Sequence, residues 1–225
     1  MADTIGRVNL PPGALPAAVA APTLSAKATR LNRKGLETRG HLLREAVLCL
    51  SEGGPDAVSA NAVARRAGAT WGTIQHQFGD VDGLWAAVLE HIAGEADFAA
   101  LRAPAHRDVA ARVAAVIELM WTAVQLPSAA AFYQLRAALP QQREQLEGSF
   151  PRTAQAIARW DEQWAALCER AFAGLGIDAV KLLRVRHLLP AAMRGLHAER
   201  DLSGYVDTEE ARQGLVDALT AYLAS

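Results

Sequence analysis

Residues 59–78 read SANAVARRAGATWGTIQHQF, and this stretch decides the fold. Ser59 and Thr70 are N-capping residue types, each standing just ahead of a short run of helix formers. Gly68 sits where the first of these helices must end, because glycine accepts the left-handed backbone that closes a helix. In the first run Val63, Ala64 and Ala67 are apolar; in the second, Ile74 and Phe78 face inward and leave Thr70, Trp71, Gly72, Thr73, Gln75 and His76 outside. Two short helices joined by Ala67-Gly68-Ala69-Thr70, with polar residues exposed on the second, form a helix-turn-helix pattern.

The flanks extend that pattern. A first helix from about 35 to 52 presents Leu42, Leu43, Ala46, Val47 and Leu50 on one face and stops at Gly53-Gly54-Pro55. A fourth helix, capped by Asp80, presents Leu84, Val88, Leu89 and Ile92. Beyond a hinge near Ala103-Pro104 the helices lengthen. Residues 107–126 are apolar nearly all round, interrupted only by Arg112, Glu118 and the polar caps, which predicts burial on several sides. Pro127, Pro140 and the polar run Gln141–Gly148 mark two shorter segments. Residues 151–174 place Trp160, Trp164, Cys168 and Phe172 at steps of four. Two more helices follow, about 178–199 and 208–224, around the turn Asp201–Val206. The 48 Ala and 28 Leu, against six Ile and thirteen aromatics, favour helix over strand throughout. An all-α fold is expected, with no internal repeat.

Charge is unevenly spread although the net is only −1. Residues 27–79 hold eight basic groups against four acidic, whereas residues 80–225 hold fourteen against nineteen. A basic head on an acidic body points the head toward a polyanion. Residues 8–26 carry no charge and four prolines. Arg7 before that Ala-rich stretch imitates a signal peptide only faintly, since the prolines interrupt the apolar run, and a flexible tail over residues 1–26 is expected instead. No stretch is both apolar and long enough to span a membrane. Cys49 and Cys168 lie far apart on apolar helical stripes, as reduced core residues of a cytoplasmic protein do.

From Leu42 to Ile92 the chain resembles the N-terminal domain of the tetracycline-repressor (TetR) family of transcriptional regulators. Ala46, Leu50, Gly53 or Gly54, Ser59, Val63-Ala64, Ala67-Gly68, Thr70, Gly72-Thr73-Ile74, His76, Phe78, Leu84 and Val88 carry the resemblance, in order and without gaps. Outside this block only the number, length and order of the helices agree. The resemblance implies a helix-turn-helix DNA-binding domain with a basic arm over residues 27–94 and a helical ligand-binding and dimerisation domain over residues 95–225. Two positions depart from the family pattern. Gln75 stands where a Tyr is usual and Val81 where a Lys is usual, and both of the usual residues touch backbone phosphates.

The candidate DNA-binding residues are then Thr70, Trp71, Gly72, Thr73, Gln75 and His76 on the third helix, with Ser59 and Asn61 on the second. A major groove about 12 Å wide admits one helix, whose N-terminal residues reach base edges. Gly72 lets the backbone approach closely, Thr73 can touch a thymine methyl or a phosphate, and Gln75 can pair with adenine. Lys27, Arg30, Arg33, Lys34 and Arg39 form a basic segment that can replace the missing phosphate contacts, or else an ordinary solvated linker.

By resemblance, residues 95–225 bind an effector and dimerise. Met120, Trp121, Phe132, Tyr133, Phe150, Trp160, Trp164, Phe172 and Met193 supply the large apolar side chains that a cavity needs, or alternatively a plain packed core. Trp121, Trp160 and Trp164 are expected to face one another across an apolar chamber for an effector with a flat or acyl body and one polar end. Apolar stripes on the last two helices (Leu182, Val185, Leu189, Met193, Leu196; Leu215, Leu219, Tyr222) would pair with a second subunit in a four-helix interface.

Catalysis has little support here. There is no Gly-rich phosphate loop, nucleophile elbow or paired-Cys motif, and the six histidines lack metal spacing, so no cofactor and no metal is expected. The expected protein is a DNA-binding homodimer, a repressor that leaves its double-stranded operator when a small hydrophobic molecule binds. The alternative is a helical small-molecule or lipid-binding protein of the same fold that no longer binds an operator, for which Gln75 and Val81 argue.

Overall fold

The computed structural model describes residues 31–54, 57–96, 106–202 and 206–225, with backbone only at 201 and 202. The expected tail over 1–26, Lys27, Arg30 and the hinge at Ala103-Pro104 lie outside the described residues. Among those described the structure is all helix: α1 (Arg33–Glu52), α2 (Ala60–Arg66), α3 (Trp71–Phe78), α4 (Val81–Ala96), α5 (Val109–Val124), α6 (Pro127–Ala138), α7 (Arg143–Ser149), α8 (Pro151–Ala171), α9 (Ala179–Leu202) and α10 (Thr208–Ala224).

Local chemistry sets most boundaries. Asn32 accepts from the Gly35 N–H at 2.8 Å, so α1 starts two residues earlier than its apolar stripe indicates. Ser59, Thr70, Asp80 and Asp108 cap α2, α3, α4 and α5 in the same way. Gly68, at φ 62°, makes the turn between α2 and α3.

The buried side chains form two clusters. The first joins α1–α4 to Ala131, Phe132 and Leu135 of α6, to Leu146, and to Ala156 and Ile157 of α8. The helix-turn-helix therefore shares its core with helices beyond residue 94. The second cluster joins α5, Ala171, Phe172, α9 and α10. Each buried methylene contributes about 0.8 kcal/mol, so the shared first core holds α6 and α8 firmly against the head.

Three expectations about these helices change. First, α5 is not buried on several sides: Ala114, Glu118, Thr122 and Ala123 are exposed, and a single stripe through Val113, Val116, Ile117, Trp121 and Val124 is buried. Alanine is apolar but small enough to sit in water at little cost, so an Ala-rich helix looks apolar all round without being buried all round. Second, Arg112 does not interrupt the buried stripe but belongs to it. Its guanidinium donates to the carbonyls of His106 (2.8 Å) and Ala171 (2.6 Å), tying α5 to the end of α8. Third, α8 ends at Ala171 rather than near Gly174, and its aromatic stripe serves two cores rather than one.

Candidate nucleic-acid interface

The site is built on α3. Ile74 and Phe78 are 0% and 4% exposed and anchor the helix in the first core. Thr70 caps its start, accepting from the Thr73 N–H at 3.3 Å, and the two threonine hydroxyls lie 3.2 Å apart. Trp71, Gly72, Gln75 and His76 are exposed, and Thr73 is half-buried. Trp71, a large apolar ring on the first turn of a short helix, is 36% exposed. A Cβ at Gly72 would meet only the Thr70 hydroxyl, at 3.6 Å, so packing within the chain does not demand the glycine. On α2, Asn61 is exposed and Ser59 is half-buried as the cap.

The basic residues divide by role. Lys34 is exposed, and Arg33 is exposed but paired with Glu37 at 2.9 Å. Arg39 turns inward: it donates to the Gln77 carbonyl at 2.6 Å and lies 4.4 Å over the Phe78 ring. Burial pushes its guanidinium below the ordinary arginine value despite the charge of Glu90. Position 39 lies three and four residues before Leu42 and Leu43, hence on the buried side of α1, and the residue braces α3 instead of facing solvent. Arg66 bridges Glu45 (3.0 Å) and Glu52 (2.6 Å), locking α2 onto α1. Arg65 and Arg44 stay exposed on α2 and α1, cations whose placement charge counting alone does not give.

Sequence reasoning also missed how α3 is held from behind. Gln77 is buried and its amide donates to the Gly35 carbonyl at 3.4 Å. Asp82, 8% exposed at the start of α4, accepts from the backbone N–H groups of Arg152 (3.0 Å) and Thr153 (2.9 Å) and from Arg152 Nε (3.1 Å). Burial pushes the Asp82 carboxyl up, but these hydrogen bonds outweigh it and hold the group below the ordinary carboxylate range. Arg152 also pairs with Asp80 and donates to the Phe78 carbonyl at 3.4 Å. Val81, where the family usually has Lys, packs against the first core.

The candidate effector residues are not brought into one chamber. Trp160 stacks on Phe132 at 4.4 Å beside the first core, with Tyr133 edge-on to Phe132 at 5.4 Å. Trp164, Trp121, Met120, Phe172 and Met193 belong to the second core. The Trp164 indole N–H already has a partner, the Arg186 carbonyl at 3.0 Å, and Trp121 lies under Arg212 and edge-on to His197. Open space among the described residues includes a cleft of about 390 Å³ between α4 and α8, lined by Leu89, Ala93 and Trp160 and by the charged Glu90, Arg159 and Arg170 among others. Of the candidate residues only Trp160 reaches it. Phe150 packs beside the first core. Burial raises the Cys168 thiol to about 12, so it carries no thiolate at neutral pH. No single described helix is long and apolar enough to cross a membrane.

The chain matches known proteins at this site. Residues 42–88, which run from α1 into α4, match the profile described as "Bacterial regulatory proteins, tetR family". Comparison with curated proteins gives no match. Among solved structures, native NalD, the secondary repressor of the MexAB-OprM multidrug efflux pump in Pseudomonas aeruginosa, aligns over 84% of this chain and 98% of its own with a TM-score of 0.53 and 17% identity. A TetR-family regulator from Streptomyces coelicolor A3 aligns over 87% of this chain and 98% of its own, with a TM-score of 0.37 and 18% identity. At such identity NalD shares the fold alone; the profile match, lying on the helices that expose Trp71, Gln75 and His76, carries the assignment. The chain thus carries, over residues 42–88, an N-terminal domain that matches the tetR family of bacterial regulatory proteins.

Proposed function

We propose that this regulator is a homodimeric repressor that leaves its operator when a small hydrophobic molecule enters the body of the protein. The observation that carries the DNA half of this reading is the two-sided character of α3. Ile74 and Phe78 fix it to the core, while Trp71, Gly72, Gln75 and His76 face solvent on one surface. In the major groove Gln75 would pair with an adenine edge, Thr73 would offer its methyl to thymine, and Gly72 would let the backbone come close. NalD, which shares this fold, is itself a secondary repressor.

The dimer is assigned to the outer faces of α9 and α10. Leu183, Leu188, Ala191 and Gly195 are exposed on α9, and Gly214, Ala218 and Ala221 on α10. This replaces the register expected from the apolar stripes, because Val185, Leu189, Met193 and Leu219 are buried in the chain's own second core. The effector is assigned to the α4/α8 cleft, where Trp160 and Leu89 offer apolar walls and Gln163 with the charged Glu90, Arg159 and Arg170 a polar rim, for a flat or acyl body with one polar end. A ligand that prefers α4 and α8 apart shifts the population away from the DNA-binding arrangement. Residues 27–94 are thus assigned to DNA, with Leu89 and Ala93 of α4 also walling the effector cleft, and 95–225 to effector and partner, acting in the cytoplasm where the operator lies.

The arm gives the test. Arg33 and Lys34 are exposed near the start of α1, and Arg30 precedes them in sequence. Replacing all three by Gln should weaken binding to every duplex and lower the log–log salt slope by about 0.9 for each phosphate that is no longer neutralised. Fluorescence anisotropy across a salt series measures that slope, and an unchanged slope removes the arm from the interface.

A further inference from the structure

Arg152 and Asp82 stand at the meeting point of three helices, although neither lies within the helix-turn-helix. The start of α8 has no cap of its own: Phe150 offers no side-chain acceptor, and Pro151 occupies the first turn. Asp82, 70 residues away, supplies the cap instead, taking the backbone N–H groups of Arg152 and Thr153 on its two oxygens. The Thr153 hydroxyl completes the link by donating to the Asp82 carbonyl at 3.1 Å. The Arg152 guanidinium then reaches past Asp82 to Asp80 and to the carbonyl of Phe78, the last residue of α3. Gly83 keeps the junction this tight, since a Cβ there would stand 2.0 Å from the Phe78 carbonyl oxygen and 2.7 Å from Arg152 Nη1.

Exposure decides which part of this cluster matters for what. The Arg152 side chain is 47% exposed, and a pair that open to water adds little to stability. Asp82 is nearly buried and takes charge-assisted hydrogen bonds, so its loss is costly. The stability therefore resides in Asp82, and what Arg152 contributes is direction: it joins the end of α3 to the start of α8. The same two helices that wall the cleft, α4 and α8, meet at this junction, so a displacement between them is felt at the Phe78 carbonyl.

We propose that Arg152 and Asp82 are positioning residues for α3: through the Phe78 carbonyl and the capped start of α8 they set the orientation in which the recognition helix meets DNA. The proposal rests on the reading of α3 as the DNA-contacting helix, and its test has one readout without DNA. The full chain is labelled with 5-fluorotryptophan, and the resonance of Trp71, at the start of α3, is assigned by Trp71→Phe. In Arg152→Gln the Trp71 resonance should shift or broaden while those of Trp121 and Trp164, in the second core, hold still. Affinity for a duplex selected by the wild-type protein should fall on the order of ten-fold, because a smaller share of molecules holds the competent arrangement. Arg152→Lys, which keeps the charge beside Asp82, should recover part of it. If Arg152→Gln fails to fold, Thr153→Val, which removes only the hydroxyl link, carries the same test. A Trp71 resonance and DNA affinity that both stay at wild-type values, even with a lower Tm, would overturn the proposal. A Trp71 shift in a protein whose wild type selects no duplex would retain the junction and remove the DNA reading on which its function rests.

Discussion

The double variant Leu188→Asp, Ala218→Asp is expected to be a folded monomer whose affinity for operator DNA is at least about a hundred-fold lower, because linking two half-site readers raises avidity by roughly that factor or more. Leu188 is 49% exposed in the isolated chain and Ala218 is exposed as well, so a carboxylate at either position leaves the chain's own core intact. At a subunit interface the same carboxylates would be buried without partners, which is costly. The neighbouring positions behave differently. Leu189 is 1% exposed and Leu219 is 3% exposed, both inside the second core, so Asp there should unfold the chain rather than dissociate it. Sedimentation velocity with circular dichroism separates the two outcomes. A Leu188→Asp, Ala218→Asp protein that remains dimeric places the interface on other helices.

Gly83→Ala should lower stability by about 2–3 kcal/mol, the upper end for an added methyl in a packed site. The new Cβ would fall 2.0 Å from the Phe78 carbonyl oxygen, a backbone atom that cannot swing aside as a flexible side chain can. Relief requires α3 and the start of α4 to move apart, so DNA affinity should fall with stability. Gly94, on the same helix, is the control: a Cβ there meets nothing within 4 Å. Gly94→Ala should therefore stabilise by about 0.5–1 kcal/mol, through helix propensity and the reduced freedom of the unfolded chain. Thermal and urea unfolding of the two variants measures the contrast. Equal effects at both positions would mean that the junction yields more readily than its distances indicate.

The helix-turn-helix was legible because its determinants are local. Ser59, Gly68 and Thr70 act on backbone within four residues, and Ile74 and Phe78 repeat at the helical period, so caps, turn and inward face all follow from spacing. What spacing does not reveal is the neighbour across the gap. Trp160 and Trp164 are four apart, yet α8 passes from one core to the other between them, and only the first lines the cleft. On α9, Leu188 and Leu189 are adjacent and equally apolar; one is exposed and the other buried because the helix has apolar groups on both faces. Arg39 has the composition of an arm residue but the position of a buried one. The link from Asp82 to Arg152 joins residues 70 apart and leaves no periodic trace.

Selection of duplexes from a random library by the full-length protein, followed by sequencing, tests most directly the claim that α3 reads bases in a dimer. The expected result is an enriched motif with two-fold symmetry, its half-sites spaced by whole helical turns. In Gln75→Ala the same motif should lose its preference mainly at one position per half-site, since a bidentate Gln–adenine contact is worth about 1–3 kcal/mol of discrimination. A library that emerges without any enriched motif, from a protein shown to be folded and dimeric, would contradict the account and favour a ligand carrier that keeps this fold.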